Sequence, residues 1–391
     1  MQAIILAAGK GTRFLPFSET KPKPLFSIFG KSILEHNLDE LNGLVSEVII
    51  IVGYKKEMIM ERIGKRYGKM KISYIEDDKI EGTGSSAKLA LSHLKDKFLL
   101  LNGDDFYAKE DIKKAIDKCP SILVKEHENP SCFGVIDEEE GYAKDIIEKP
   151  AQPVSKLVNS ALYCLPKTIF DYVIDKSARG EYEFTDYIRK FIHEKKLRVC
   201  QASFWAPASY PWDIFNAVPR LFKKQKRDKK IKIEKGAVLN GEVIIKEGTL
   251  IKSGSYIEGP VYIGKNCIIG PNCFIRAGSV IEDDCKIGQG VEVKNSLIGK
   301  GTRASHLTYI GDSIIGENCN LGAGTIIANL RHDHKNIKTI VKDELIDTKM
   351  KKFGAILGDN VKTGINTIIY PGRKIGSNKS TLPGEKVEKD I

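Results

Sequence analysis

The chain has 391 residues, of which 41% are hydrophobic and 29% charged, and its formal net charge is +11. That length exceeds one ordinary core and predicts two domains, while the composition suits a globular chain rather than a disordered or fibrous one. No apolar stretch nears membrane-spanning length, and the start MQAIILAAGKGTR lacks a basic n-region and a small-residue cleavage site. A cytoplasmic, non-membrane protein is therefore expected.

The first two hundred residues alternate strand and helix signals. Apolar runs at 3–7, 48–52 and 98–101 read as buried parallel strands. Between the first two, a helix is predicted from Ser32, with Glu35 completing a capping box and Leu34, Leu38 and Leu41 forming its apolar stripe. Repeated βαβ units predict a doubly wound, Rossmann-like α/β sheet over residues 1–217, with its site at the carboxyl ends of the strands. A basic linker, 218–231, is expected next. From Arg220 to Lys232 there are eight Lys/Arg against one Asp, so much of the excess charge sits here. A solvated linker face is the simpler reading, with a weak contact to an acidic partner or RNA left open. Aromatic residues do not alternate with these charges as a base-stacking platform requires, which weighs against a nucleic-acid partner.

From residue 232 onward the period changes. Ile233, Leu239, Ile245, Ile251, Ile257, Ile263, Ile269, Ile275, Ile281, Ile287 and Val293 recur every six residues without a miss. Neither a helix nor a plain strand has that period. Three six-residue faces per coil predict a triangular prism, the hexapeptide parallel β-helix, over 232–391. The repeat loses register after Val293, and 329–352 is a polar excursion of the kind that marks a functional face in a solenoid. None of the eight cysteines forms a C-x-x-C pair, and Cys267, Cys273 and Cys285 are expected to share one small-residue column with Ser279. Neither a metal site nor a disulfide framework is expected from them.

Two stretches carry candidate chemistry. Strand Gln2–Leu6 runs into Ala7-Ala8-Gly9-Lys10-Gly11-Thr12-Arg13, where glycines allow backbone N–H groups close to a phosphate and Arg13 can grip it bidentately. Lys23, between Pro22 and Pro24, is a second cation on a stiffened backbone. Lys21 can be read as an ordinary surface lysine. Together these residues resemble the signature of sugar-1-phosphate nucleotidylyltransferases.

That resemblance implies roles for further residues in the same order along the chain. Ala8, Gly9, Gly11, Thr12, Gly82 and Thr83 would bind the nucleotide, with Arg13 and Lys23 catalytic. Asp104, in Asn102-Gly103-Asp104-Asp105, would hold Mg²⁺. Gly134, Glu148 of Glu148-Lys149-Pro150, and Asn159 would bind the sugar. The chemistry is positioning and charge neutralisation while a sugar phosphate attacks the α-phosphorus and expels pyrophosphate. Two departures stand out. Pro207 occupies the position where the family has its second metal-binding carboxylate, leaving Asp105 or Asp213 as alternatives, and Ala161 replaces a glycine beside the sugar.

The stretches His306-Leu307-Thr308-Tyr309-Ile310-Gly311-Asp312 and Asn320-Leu321-Gly322-Ala323-Gly324-Thr325, with Lys294 twelve residues before His306 and Arg276 eighteen before Lys294, resemble the acetyltransferase half of one branch, the bifunctional UDP-N-acetylglucosamine pyrophosphorylase/glucosamine-1-phosphate N-acetyltransferases. The resemblance implies that His306 is the general base and that acetyl-CoA is the acyl donor, with Ala323 at the thioester. Arg276, Lys294, Tyr309 and Lys335 would hold the sugar phosphate, and Asn320 and Asn329 the sugar and amine. An imidazole that is neutral near pH 7 suits that task. His332 and His334 read as loop histidines, and Leu330-Arg331-His332 departs from the bacterial pattern.

The reading is a bifunctional enzyme and homotrimer acting on UTP and sugar-1-phosphates. Its rivals are a single-function nucleotidylyltransferase of dTDP-glucose or GDP-mannose type, and a regulatory subunit with a degenerate first domain.

Overall fold

The computed structural model describes residues 1–391. By spatial contact the chain forms two compact units: Met1–Lys10 with Ile33–Pro207, and Gly11–Ser32 with Ala208–Ile391. No helix is long and apolar enough to cross a membrane.

In the first unit, the runs expected to be buried strands are Gln2–Ala7, Glu47–Val52 and Lys97–Asn102. They pair in parallel, with Gln2–Ala7 in the middle, and Met70–Glu76 adds a fourth parallel strand beyond Glu47–Val52. Ile4, Ile5, Ile49, Ile50, Leu99 and Leu101 are fully buried, because helices cover both faces of such a sheet. The predicted helix is Ile33–Leu41, and its stripe of Leu34, Leu38 and Leu41 is fully buried.

Sequence reading did not anticipate the antiparallel half of this sheet. The long strand Leu157–Pro166 runs antiparallel to both Lys97–Asn102 and Ser121–Glu126, extending the sheet to ten strands. Its register shifts between Asn159 and Tyr163, with Ala161 at φ 55° inside the irregularity.

The prism of the second unit has three parallel sheets of six, eight and seven strands. Its registers show the coil length: Ile233 pairs with Ile251, Ile251 with Ile269 and Ile269 with Ile287, eighteen residues apart each time. Ladder residues from Ile245 to Val293 are buried, whereas Ile233, in the first coil, is 37% exposed. Burying each Ile contributes roughly 1.5–3 kcal/mol, so the stack needs no other core.

The loss of register after Val293 has a simple cause. Val293 pairs with Ile310 and Ile298 with Ile315, seventeen residues apart, so each of these coils drops one residue. The shortened corners are Val293–Ile298 and Ile310–Ile315, turned by Asn295 at φ 45° and Asp312 at φ 50°. The next step is longer: Ile315 pairs with Leu357 and Ile327 with Ile369. The intervening excursion contains the hairpin Lys338–Val341 and Glu344–Asp347, after which the eighteen-residue coil resumes.

The cysteine expectation needs correction. Cys267 and Cys285 precede ladder residues on one face, while Cys273 and Ser279 precede those of the other two faces. They share a position within the hexad, not a column. All eight cysteines are free, and these three are buried.

Candidate functional sites

The glycine-rich turn leaves the carboxyl end of Gln2–Ala7. Ala8 is buried, and its carbonyl accepts a hydrogen bond from the Tyr54 amide at 3.0 Å. Gly9 is exposed, and a Cβ built there would meet nothing within 4 Å. The fold therefore does not demand glycine at that position, whereas close approach of a ligand would. Gly11 differs: its φ is +63°, and a Cβ there would lie 3.1 Å from Lys23 Cβ, so both backbone and space require glycine.

Within the second unit, the two predicted cations share a neighbourhood. The Arg13 guanidinium lies 5.8 Å from the Tyr210 ring centroid, and that ring stacks on Trp212 at 4.6 Å. Lys23 is buried, with its Nζ 5.6 Å from the Phe14 ring centroid. Both cations favour the charged form of Asp213, but burial dominates and pushes its carboxyl up to about 6. Asp213 Oδ2 accepts the Tyr210 amide at 2.7 Å and caps the turn Pro211–Asn216.

Within the first unit, the predicted sugar-binding residues converge. Gly134 pairs with Glu148 across an antiparallel ladder, and a Cβ on Gly134 would lie 3.1 Å from Glu148 Oε2 and 3.5 Å from Asn159 Cβ. Burial raises the Glu148 carboxyl, opposed by Lys149 and by Arg179, whose guanidinium is 3.5 Å away. Asn159 donates to Tyr163 Oη at 2.5 Å and accepts the Ala161 amide at 2.8 Å. That second bond holds Ala161 in the left-handed conformation a glycine would adopt freely. Sequence reasoning missed Arg179, which lies in an irregular stretch with no periodic signal.

Thr83 opens the helix Thr83–Lys88, and its Oγ1 accepts the Phe184 amide at 2.9 Å. Gly82 has φ +124°, and a Cβ there would strike the Tyr182 backbone at 2.5 Å.

Asp104 follows the central strand Lys97–Asn102 and is partly exposed. Asp105 is buried, and its carboxylate accepts Trp205 Nε1 at 3.3 Å and Asn102 Nδ2 at 3.4 Å. Pro207 pairs with Asp105 across the short ladder Trp205–Pro207 and Asp105–Tyr107. Of the carboxylates considered as substitutes, Asp105 is engaged by a tryptophan and an asparagine, and Asp213 by a turn.

On the prism, three predicted residues meet around one that was not assigned a role. Asp312, at the second shortened corner, is buried and accepts Lys294 Nζ at 2.8 Å, Asn295 Nδ2 at 2.8 Å and Asn329 Nδ2 at 2.5 Å. Asn329 also donates to Tyr309 Oη at 3.2 Å. Arg276 pairs with Glu292 at 3.0 Å. The dropped residues bring this set together, because Asn295 and Asp312 stack at successive shortened corners.

The remaining predicted residues lie on other strands and loops of the prism. His306 ends strand Arg303–His306, in register with Gln289, and is exposed. Asn320 is on strand Asn320–Leu321 of the same face as His306, one coil on. Ala323 follows it, half-buried. Lys335 sits in the excursion, exposed, its amide donating to Asp333 Oδ1 at 3.2 Å.

A doubly wound sheet with a glycine-rich turn, followed by a parallel β-helix, defines a nucleotidyl transferase with a hexapeptide prism. The nucleotidyl transferase family model matches residues 2–210, and the model for the GMPPB C-terminal domain matches 257–382. A Bacillus anthracis chain provisionally assigned as a glucose-1-phosphate thymidylyltransferase superposes with a TM-score of 0.52 at 23% identity. It covers 59% of this chain and 98% of its own, a likeness of fold. The bifunctional protein GlmU of Methanocaldococcus jannaschii is 44% identical over 97% of this chain and 92% of its own length. The bifunctional sugar-1-phosphate nucleotidylyltransferase/acetyltransferase of Sulfurisphaera tokodaii is 38% identical over 100% of this chain and 98% of its own. The chain belongs to the bifunctional GlmU family of sugar-1-phosphate nucleotidylyltransferase/acetyltransferases.

Proposed function

We propose that the protein makes UDP-N-acetylglucosamine in two steps. The prism (232–391) transfers acetyl from acetyl-CoA to the amine of glucosamine-1-phosphate. Residues 1–217 then couple the product to UTP and release pyrophosphate. The observation that carries the reading is the polar cluster of Lys294, Tyr309 and Asn329 around Asp312. A prism serving only to oligomerise has no use for a half-buried lysine and two amide side chains organised on one carboxylate.

In the first reaction His306 takes the proton from the amine as it attacks the thioester, and coenzyme A leaves. Lys294, Arg276, Tyr309 and Lys335 hold the phosphate, with Asn320 and Asn329 on the sugar and amine. An exposed His306 supports a site completed by a neighbouring copy, hence a homotrimer. In the second reaction Arg13 and Lys23 neutralise the triphosphate, Gly9 admits it, and Gly134, Glu148 and Asn159 hold the sugar. Mg²⁺ takes oxygen ligands and usually keeps several waters, so Asp104 and the substrate's phosphates would suffice to hold it. When bound, it neutralises phosphate charge. The protein works in the cytoplasm, where UTP and acetyl-CoA are formed.

A panel of sugar-1-phosphates, with and without acetyl-CoA and across a Mg²⁺ series, tests this. Acetylation of glucosamine-1-phosphate and pyrophosphate release from UTP with its N-acetyl product are expected. Nucleotidyl transfer to glucose- or mannose-1-phosphate without any acetylation would replace the reading by the single-function one.

A further inference from the structure

The segment Gly11–Ser32, which carries Arg13 and Lys23, belongs to the second compact unit, and one edge of the prism binds it at four coils. That edge follows the face whose ladder includes Ile281, Ile315, Leu357 and Ile375. The residues just past them are Glu282, Glu317, Asp359 and Ser377.

Glu282 is buried and accepts the Phe29 amide at 2.6 Å and the Gly30 amide at 2.8 Å, one on each carboxylate oxygen. Lys21, read from sequence as an ordinary surface lysine, has a side chain only 12% exposed. It pairs with Glu317 and, at 3.1 Å, with Asp359. Asp359 Oδ2 also accepts the Thr20 hydroxyl, and its Oδ1 accepts the Glu317 amide at 2.8 Å. Below them, the Ser377 amide donates to Glu19 Oε2 at 2.7 Å and its hydroxyl to the Pro16 carbonyl at 3.2 Å.

A lysine shared between a buried carboxylate, Asp359, and a partly exposed one, Glu317, is a costly way to gain stability, but it specifies geometry strongly. Lys23 lies two residues beyond Lys21, with Pro22 and Pro24 limiting the intervening backbone. Displacement at Lys21 would therefore be transmitted to Lys23.

We infer that this edge of the prism is a positioning element for nucleotidyl transfer, with Glu282, Glu317 and Asp359 holding the segment that presents Arg13 and Lys23. The inference rests on the reading that those two cations meet the triphosphate. It makes the prism part of the first activity as well as the site of the second.

The test uses the full-length chain with three substitutions, Lys21→Met, Lys21→Arg and Asp359→Asn, and assays both activities on each preparation. Lys21→Met and Asp359→Asn are expected to lower kcat for pyrophosphate release at least tenfold while acetyl transfer stays within twofold. Lys21→Arg, which keeps the charge, is expected to recover at least a third of the wild-type rate. Pyrophosphate release within twofold of wild type in both neutralising variants overturns the inference. So does a parallel fall of both activities, which would mean that the contacts serve only the fold. A wild-type protein that acetylates but releases no pyrophosphate from any nucleoside triphosphate overturns instead the reading of Arg13 and Lys23, and the inference with it.

Discussion

Asp213 binds its proton more tightly folded than unfolded, because burial raises its carboxyl to about 6 against an ordinary value of about 3.9. A raised carboxyl lowers stability as pH rises from about 4 to about 6, since over that window the folded state holds the proton and the unfolded state does not. Asp213→Asn keeps an oxygen for the Tyr210 amide and removes the titration. Measured by urea unfolding, the variant should match wild type near pH 4 and exceed it by about 2–3 kcal/mol at pH 7.5, from ~1.4 kcal/mol per pKa unit. Parallel stability curves would show that the cations Arg13 and Lys23 already compensate the buried charge.

His306 is the other residue whose role can be isolated. His306→Ala is expected to slow acetyl transfer by about 10²–10⁴ and leave pyrophosphate release unchanged. It is exposed, so thermal stability should move little. A normal acetylation rate would assign the proton to another group.

At the scale of elements, the shortened corners matter most. A regular hexad would have kept a plain aliphatic ladder; dropping one residue in two successive coils stacks Asn295 on Asp312 and gathers Lys294 and Asn329 there. Asp312→Ala removes the common acceptor. It should cost about 1–3 kcal/mol through the unsatisfied donors and raise the KM for glucosamine-1-phosphate more than it lowers kcat. An unchanged KM would mean that the cluster only braces the corner. The irregularity in Leu157–Pro166 works similarly in the first unit. Ala161 holds a left-handed φ because Asn159 bonds its amide, so the missing glycine costs strain and not the fold of this strand.

At the scale of the molecule, the expectation is association. The prism exposes Val238, Tyr256, Ile326 and Ile368 along one face, apolar surface that a lone copy would leave in water. Light scattering should give a mass of three 43.5 kDa chains at working concentration, with acetyl transfer falling on dilution below the association threshold. A stable monomer with full acetylation would remove the neighbouring copy from the site.

The ladder was legible in the linear chain because inward-facing aliphatics at one hexad position are a local pattern, requiring no knowledge of what lies across the prism. The parallel strands and the glycine-rich turn were legible for the same reason: burial on both faces and a left-handed backbone at Gly11 each leave a short-range mark. Other features depend on partners far away in sequence. Lys21 reads as a surface lysine until Glu317 and Asp359 close on it. Asp312 becomes a hub only when dropped residues bring Lys294 and Asn329 to it. Asp105 and Asp213 read as open carboxylates until Trp205 and the Tyr210 amide bond them. Periodicity determined the ladder and the parallel strands, and motif spacing named the candidate residues. Burial and hydrogen bonding between residues distant in the chain, which leave no local pattern, were decided only by the tertiary structure.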